Sequence, residues 1–417
     1  MMPLLRQGSM CPTGLALLLA LVGAAQSADW PQFLGPTRGG VYAEPDLADA
    51  WPKEGPIVVW RKTVGQGFSG PVIFAGKLIL FHRQSDKEVV DCLDAHNGER
   101  RWGFDYPTAY RDDFGFDEGP RATPAIAGEH VFTFGAEGAL RCSELATGKK
   151  VWSVDTKNDF QSGKGFFGMA CSPLVEGNAV IINVGGRNGA GIVAFDRATG
   201  RVLWKATDDE ASCSSPVAAT ISGNRCALVL TRSELVAVAS ATGKIRFRFP
   251  FQPPMNASVT AATPLVIEDL IFISASYGTG AALLRVKADA VEKLWTADDI
   301  LSNHYATSVH RDGFLYGFDG RQEQGCNLRC VELRTGKVRW SQDGFGAGTL
   351  MLANSDLLIL TEKGELVRAP ATPAGFRPTT RAQILSFQVR AHPALANGCL
   401  YARSKDQLVC VDLRKRN

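Results

Sequence analysis

The sequence predicts an all-β fold: an eight-bladed β-propeller of four-stranded antiparallel blades, closed by an N-terminal strand joining the C-terminal blade. Three observations predict it. The composition is rich in turn residues, an eleven-residue unit ending in an aromatic recurs along the chain, and a second pattern opening on small residues and proline recurs eight times.

The chain has 417 residues, of which 21% are charged and 45% hydrophobic, proportions that exclude disorder, collagen and a coiled coil. With Gly 43 and Pro 21 it suits many short strands and not a helical bundle. Lys+Arg 45 against Asp+Glu 42 leave a net charge of +3, too small to imply a nucleic-acid partner.

The recurring unit reads CLDAHNGERRW (92–102), CSELATGKKVW (142–152), AFDRATGRVLW (194–204), AVASATGKIRF (237–247), RVKADAVEKLW (285–295) and CVELRTGKVRW (330–340). The starts lie 50, 52, 43, 48 and 45 residues apart, the length of one four-stranded propeller blade and too long for a leucine-rich or tetratricopeptide unit. Each copy is strand, tight turn, strand. Gly98, Gly148, Gly200, Gly243 and Gly336 supply the positive φ that such a turn needs. Four residues on, Trp102, Trp152, Trp204, Phe247, Trp295 and Trp340 are placed to wedge between neighbouring sheets at the rim, as core and not as a ligand platform.

Before each unit lies a hairpin with a small-residue or proline start, from GPVIFAGKLILF (70–81) to HPALANGCLYAR (392–403), eight in all and hence eight blades. The seventh is followed only by LVRAPATPAGF (366–376), a degenerate unit. The eighth unit begins as CVDLRKRN (410–417) and stops before its outer strand, while PIVVW (56–60) is an orphan strand ending in Trp60. Donating that strand to the last blade joins the ends and leaves no open seam. Residues 28–55, with Trp30, Phe33 and Trp51, are then an arm lying on a propeller of residues 56–417.

Residues 1–27 have the layout of a cleavable secretory signal: Arg6, an apolar run from Leu15 to Ala25, and small residues around Ser27. The run is too short to span a bilayer, and no later segment approaches the roughly 20 apolar residues a span requires. The expected location is therefore exported, periplasmic or extracellular. Cys11 precedes the apolar run and gives no support for a lipid anchor. The nine remaining cysteines are odd in number. Cys92, Cys142, Cys330 and Cys410 share one slot of the repeat in sheets that do not meet, so they read as small buried apolar residues.

AFDRATGRVLW resembles the AxDxxTGxxxW docking motif of the pyrroloquinoline quinone (PQQ) propeller superfamily, and WPQFLGPTRGGV (30–41) resembles the start of exported PQQ-like repeat proteins. The superfamily includes quinoprotein alcohol dehydrogenases, which hold PQQ and calcium on the axis. It also includes the propeller lipoprotein of the outer-membrane β-barrel assembly machinery, which binds partners and no cofactor. The dehydrogenases clamp PQQ beneath a disulfide between adjacent cysteines, and this chain has no Cys-Cys pair.

Two loops leading into inner strands stand out. YRDDFGFDEGPRATP (110–124) gathers Asp112, Asp113, Asp117 and Glu118 beside Arg121, acids that can hold a cation or simply pair locally. LSNHYATS (301–308) brings Asn303, His304 and Tyr305 to the corresponding entrance of the sixth blade, and KGFFGMA (164–170) adds Lys164, Phe166 and Phe167. Arg121, Lys164, Asn303, His304 and Tyr305 are expected to line the axial mouth. GGRNGAG (185–191) reads as a glycine-rich hairpin tip, since strand residues flank it. No catalytic or metal-binding position carries over. The expected function is a binding or scaffolding module without quinone, taking a protein or a small polar ligand on the axial face. The alternatives are a divergent PQQ- and calcium-dependent dehydrogenase of alcohols or sugars, and carbohydrate or peptide recognition.

Overall fold

A computed structural model describes residues 29–415; the expected signal segment, residues 1–27, and Cys11 within it lie outside the described residues. Eight antiparallel sheets follow one another around an axis. Their innermost strands are Val72–Phe74, Ala125–Ala127, Leu174–Glu176, Val217–Ile221, Leu265–Ile267, Val309–Arg311, Gly348–Ala353 and Ala394–Ala396. The eighth blade is completed by Ile57–Thr63, which pairs with Gln407–Asp412 and sets Trp60 opposite Cys410. The ring is therefore closed by hydrogen bonds between the two ends of the chain, as the orphan strand predicts.

The rim aromatics act as a repeated fastener. Each indole donates its N–H to a carbonyl of the next blade: Trp60 to Ala95 at 3.1 Å, Trp152 to Arg197 at 3.0 Å, Trp204 to Ser240 at 3.0 Å, and Trp340 to Thr372 at 2.8 Å; Trp60, Trp102, Trp152, Trp204 and Trp295 also stand over the turn glycine there. Glycine is required beneath them for two reasons. Gly148 and Gly243 have φ of 73° and 72°, and a Cβ on either would meet the indole at 2.5 and 2.6 Å. The degenerate seventh unit still supplies the Thr372 carbonyl, and its Phe376 packs back on Trp340 at 5.7 Å instead of forward onto the eighth blade.

A second fastener runs around the axis. At several blades the residue before the inner-strand proline sends its N–H to a side-chain hydroxyl of the next blade: Gly70 to Thr123 at 3.0 Å, Thr123 to Ser172 at 2.9 Å, Ser172 to Ser215 at 2.8 Å. Thr263 donates likewise to Thr307 at 3.0 Å. This is the physical role of the small-residue start.

Antiparallel meanders put the turns after strands one and three of every blade on one face, and the inter-blade loops on the other. The N-terminal segment crosses the turn face. Trp30 exchanges 2.9 Å bonds with Ile73, Pro31 accepts from Ile126, and Tyr42 accepts from Gly398 through its hydroxyl. Val41–Tyr42 adds to the seventh sheet in parallel register with Leu352–Ala353, so that blade has five strands where four are expected. Arg38 is buried and gives its guanidinium to the carbonyls of Pro216 at 2.7 Å, Ser172 and Pro173. Burial pushes its pKa down to about 10, yet it stays protonated at neutral pH. Among the described residues no helix is long and apolar enough to cross a membrane.

Candidate functional site

Two cavities open among the inter-blade loops. The first, about 140 Å³, lies on the axis. Its walls follow a simple register: the residue three before each inner-strand proline points in, giving Phe68, Arg121, Ala170, Cys213, Ala261 and Arg390, with Tyr305 three before Ser308. Extended backbone alternates sides, so this residue and the one just before the proline face the same way. Phe33 reaches the cavity from the arm and meets the His392 ring edge-on at 5.0 Å.

Arg121 and Arg390 are held between aromatic faces. Arg121 lies 5.5 Å over Phe68 and 5.2 Å over Phe167; Arg390 lies 5.5 Å over the same Phe68 and 5.1 Å over Phe116. Each has a carboxylate partner, Asp112 at 3.3 Å and Glu362 at 2.5 Å, so neither is a bare charge. His304 donates from Nδ1 to Gln322 Oε1 at 2.6 Å and accepts from the Tyr277 hydroxyl at 3.3 Å. The Gln322 amide is oriented by its own N–H bond to Glu323 at 2.7 Å, which fixes this tautomer. Burial lowers the His304 pKa, and burial takes His392 down to about 4, so both rings are neutral at pH 7.

The second cavity is larger, about 900 Å³, and lies beside the first over blades two to four. Lys164 and Phe166 line it, together with Arg187, Glu210, Arg232 and Gly185 and Gly186 of the predicted hairpin tip. That tip is a hairpin connection: Val184 N–H donates to Gly191 at 2.8 Å between Ala179–Asn183 and Ile192–Asp196. Between the cavities the rings form a continuous belt. Arg232 covers Phe166 at 5.1 Å, Phe114 touches Phe166 at 6.1 Å and Phe167 at 5.1 Å, and Phe167 stands beneath Arg121. Phe114, at 51% exposure, crowns the belt.

The predicted site residues thus divide. Arg121, His304 and Tyr305 line the axial cavity, while Lys164 and Phe166 line the groove, Lys164 pairing with Asp113 at 2.8 Å. Asn303 is not at the mouth. Its amide is used up inside the blade, donating to Phe318 at 2.8 Å and accepting from Ser308 at 2.9 Å. Asp117 caps its own loop through Gly119 N–H at 2.7 Å, and Glu118 faces Arg83 and Arg111, each at 3.4 Å. Asp112 is the pin of that loop, accepting from the N–H groups of Phe114, Phe116 and Asp117. The acids build the loop and do not converge on a point. Among the described residues no group of three or more His, Cys, Asp and Glu is placed to hold a metal ion. Sequence reasoning missed Phe68, Arg390, His392 and Cys213, all of which the three-before-proline register or the residue beside the proline marks.

The family described as "Outer membrane protein assembly factor BamB" matches residues 85–342. A curated relative of that name from Yersinia pestis is 21% identical over 291 residues, 66% of this chain and 70% of its own length. BamB from Moraxella catarrhalis superposes with a TM-score of 0.63 at 15% identity, covering 87% of this chain and 98% of that one. Quinohemoprotein alcohol dehydrogenase from Comamonas testosteroni superposes at 0.66 and 14% identity, covering 94% and 81%. At these identities the solved structures share a fold with this chain, and nothing finer is carried over.

Proposed function

The chain belongs to the family described as outer membrane protein assembly factor BamB, and on that premise we propose that it is an exported scaffold that binds a protein partner on its loop face and holds no quinone. The observation that carries this reading is Phe114, exposed at 51% on top of the phenylalanine and arginine belt and next to the 900 Å³ groove. Aromatic and arginine side chains dominate binding energy at protein interfaces. Here they are already held in place by one another, which lowers the entropy lost on docking.

The axial cavity supports the second half of the proposal. A cavity of about 150 Å³ holds one benzene ring. This one is about 140 Å³, and the Phe33 ring borders it from the arm, whereas PQQ is three fused rings with three carboxylates. Asp112, Asp117 and Glu362 are engaged in loop caps and arginine pairs and Glu323 accepts from the Gln322 amide, an arrangement that does not converge as the calcium accompanying PQQ in the dehydrogenases requires.

A photocrosslinking residue at position 114 tests the docking face in cells of the source organism. The expected result is a discrete adduct with an envelope protein from position 114 and none from position 220 on the turn face. Equal adducts from both positions would defeat the proposal. Titration with PQQ and calcium, followed by absorbance, checks the cofactor reading; stoichiometric uptake would overturn it.

A further inference from the structure

We infer that the axial cavity is a binding site for a neutral single-ring phenol, a ligand whose one hydroxyl both donates and accepts a hydrogen bond. Two rings of side chains build the wall. The upper ring is the three-before-proline set, from Phe68 to Arg390. The lower ring is the residue just before the proline, which extended backbone turns to the same side. At that level Ser172, Ser215 and His392 line the cavity, in a slot that holds Gly70, Thr123 or Thr263 in other blades.

This wall carries hydrogen-bonding capacity that the fold does not use. His392 is 8% exposed and its Nε2 has no partner, and the buried Tyr305 hydroxyl has none either. The Ser172 and Ser215 hydroxyls accept N–H groups, from Thr123 at 2.9 Å and from Ser172 at 2.8 Å, and among the described residues neither hydroxyl donates onward. Burial raises the Tyr305 pKa far above the ordinary phenol value and lowers that of His392, so the first keeps its O–H and the second stays a neutral imidazole. Buried polar groups without partners are costly, and a ligand that supplies the missing bonds recovers that cost. The wall calls for a group that accepts from a hydroxyl and can also donate. A phenol O–H does both, whereas an ether or a ketone only accepts.

Size and charge narrow the ligand further. The volume of about 140 Å³ matches one six-membered aromatic ring, and Phe33, Val259 and Ala261 give that ring apolar surface to rest on. A cation would find the phenylalanine faces already covered by Arg121 and Arg390. An anion would find the same two guanidiniums paired with Asp112 and Glu362, and Glu323 adds negative charge at the wall. An uncharged ring with a hydroxyl is the chemistry that remains, a ligand unlike the fused tricarboxylate PQQ.

The test titrates the folded full chain with phenol, with benzene and with benzoate, binding being read from the ligand signals by NMR. Phenol is expected to bind at least about tenfold more tightly than benzene, because a site built to bond a hydroxyl rejects the analogue that lacks it, and more tightly than benzoate by a similar factor. Tyr305→Phe and His392→Phe each remove one orphaned atom and are expected to narrow the preference for phenol while benzene still binds. Equal affinity for phenol and benzene, no binding of phenol at millimolar concentration, or a preference unchanged in both variants would overturn the inference. The wild-type titrations decide the question even if a variant fails to fold, and they need no protein partner, so their outcome is separate from that of the scaffold reading.

Discussion

The junction between blades three and four and the junction between blades four and five are built from the same repeat and are held differently. At the first, Trp204 caps Gly243 and bonds Ser240 at 3.0 Å, and the Ser172 N–H reaches Ser215 at 2.8 Å near the axis. At the second, Phe247 has no N–H to give, and the turn it faces, between Gly280–Lys287 and Ala290–Ala297, holds Ala288 at φ 51° and no glycine. Near the axis Ser214 donates instead to the Ala262 carbonyl at 2.9 Å. What remains is an apolar cluster of Phe247 with Val286 and Val291, and an Arg246–Asp289 ion pair whose carboxylate is mostly exposed. Clefts of about 340 and 420 Å³ flank this junction. A closed ring tolerates a loosely fastened junction because the fastened ones hold its circumference, so the repeat drifts where its neighbours compensate.

Four substitutions break or sharpen this contrast. The largest effect is expected from Gly243→Val, which forces a branched residue to φ 72° and drives its Cβ to within 2.6 Å of Trp204. Backbone strain and overpacking together predict a loss of about 3 to 5 kcal/mol in urea unfolding. Trp204→Phe makes the third junction a copy of the fourth, and the lost hydrogen bond and ring area predict a loss of about 1 to 3 kcal/mol. If that loss is negligible, the indole bond is not what distinguishes the two junctions. Ala288→Gly relieves a left-handed alanine at the loose junction and is expected to raise stability by up to about 1 kcal/mol, the opposite sign to a glycine substitution at position 243. The smallest effect is expected for Asp289→Asn, a loss below about 1 kcal/mol at low salt that disappears at high ionic strength. Hydrogen exchange sharpens the comparison further, with the outer strand Ile245–Pro250 expected to exchange ahead of Val202–Ala206.

The sequence makes the fold readable because the fasteners recur: a glycine that must be left-handed and an indole four residues on leave their mark on four blades, and partial copies mark the others. Closure was legible for the same reason, since Trp60 without its turn and Cys410 without its tryptophan are two halves of one unit. The site was less legible. Asp117, Glu118 and Asn303 look like ligands in a linear string, but their partners are backbone groups or arginines that only the folded loop brings to them. Arg390 and His392 come from the last blade and Arg121 from the second, and their meeting across the axis depends on ring closure. The signal that does place them is the offset of three from each proline. It is obscured because the residues at that offset share position and not chemistry, ranging from Phe68 through Cys213 to Arg390. The carbonyls that receive Arg38 carry no side-chain signature at all.

The pairing of Ile57–Thr63 with Gln407–Asp412 also sets a timetable for biosynthesis. A ribosome makes the first of these strands roughly 350 residues before the second, which at about 5 to 20 residues per second is a wait on the order of tens of seconds. Throughout that interval Ile57, Val58 and Val59 belong to an unmated strand, and no intermediate length of chain can finish the circle. A nascent chain of this kind cannot close its ring until Gln407–Asp412 has emerged, and an escort that shields the early strand would act on it during that interval.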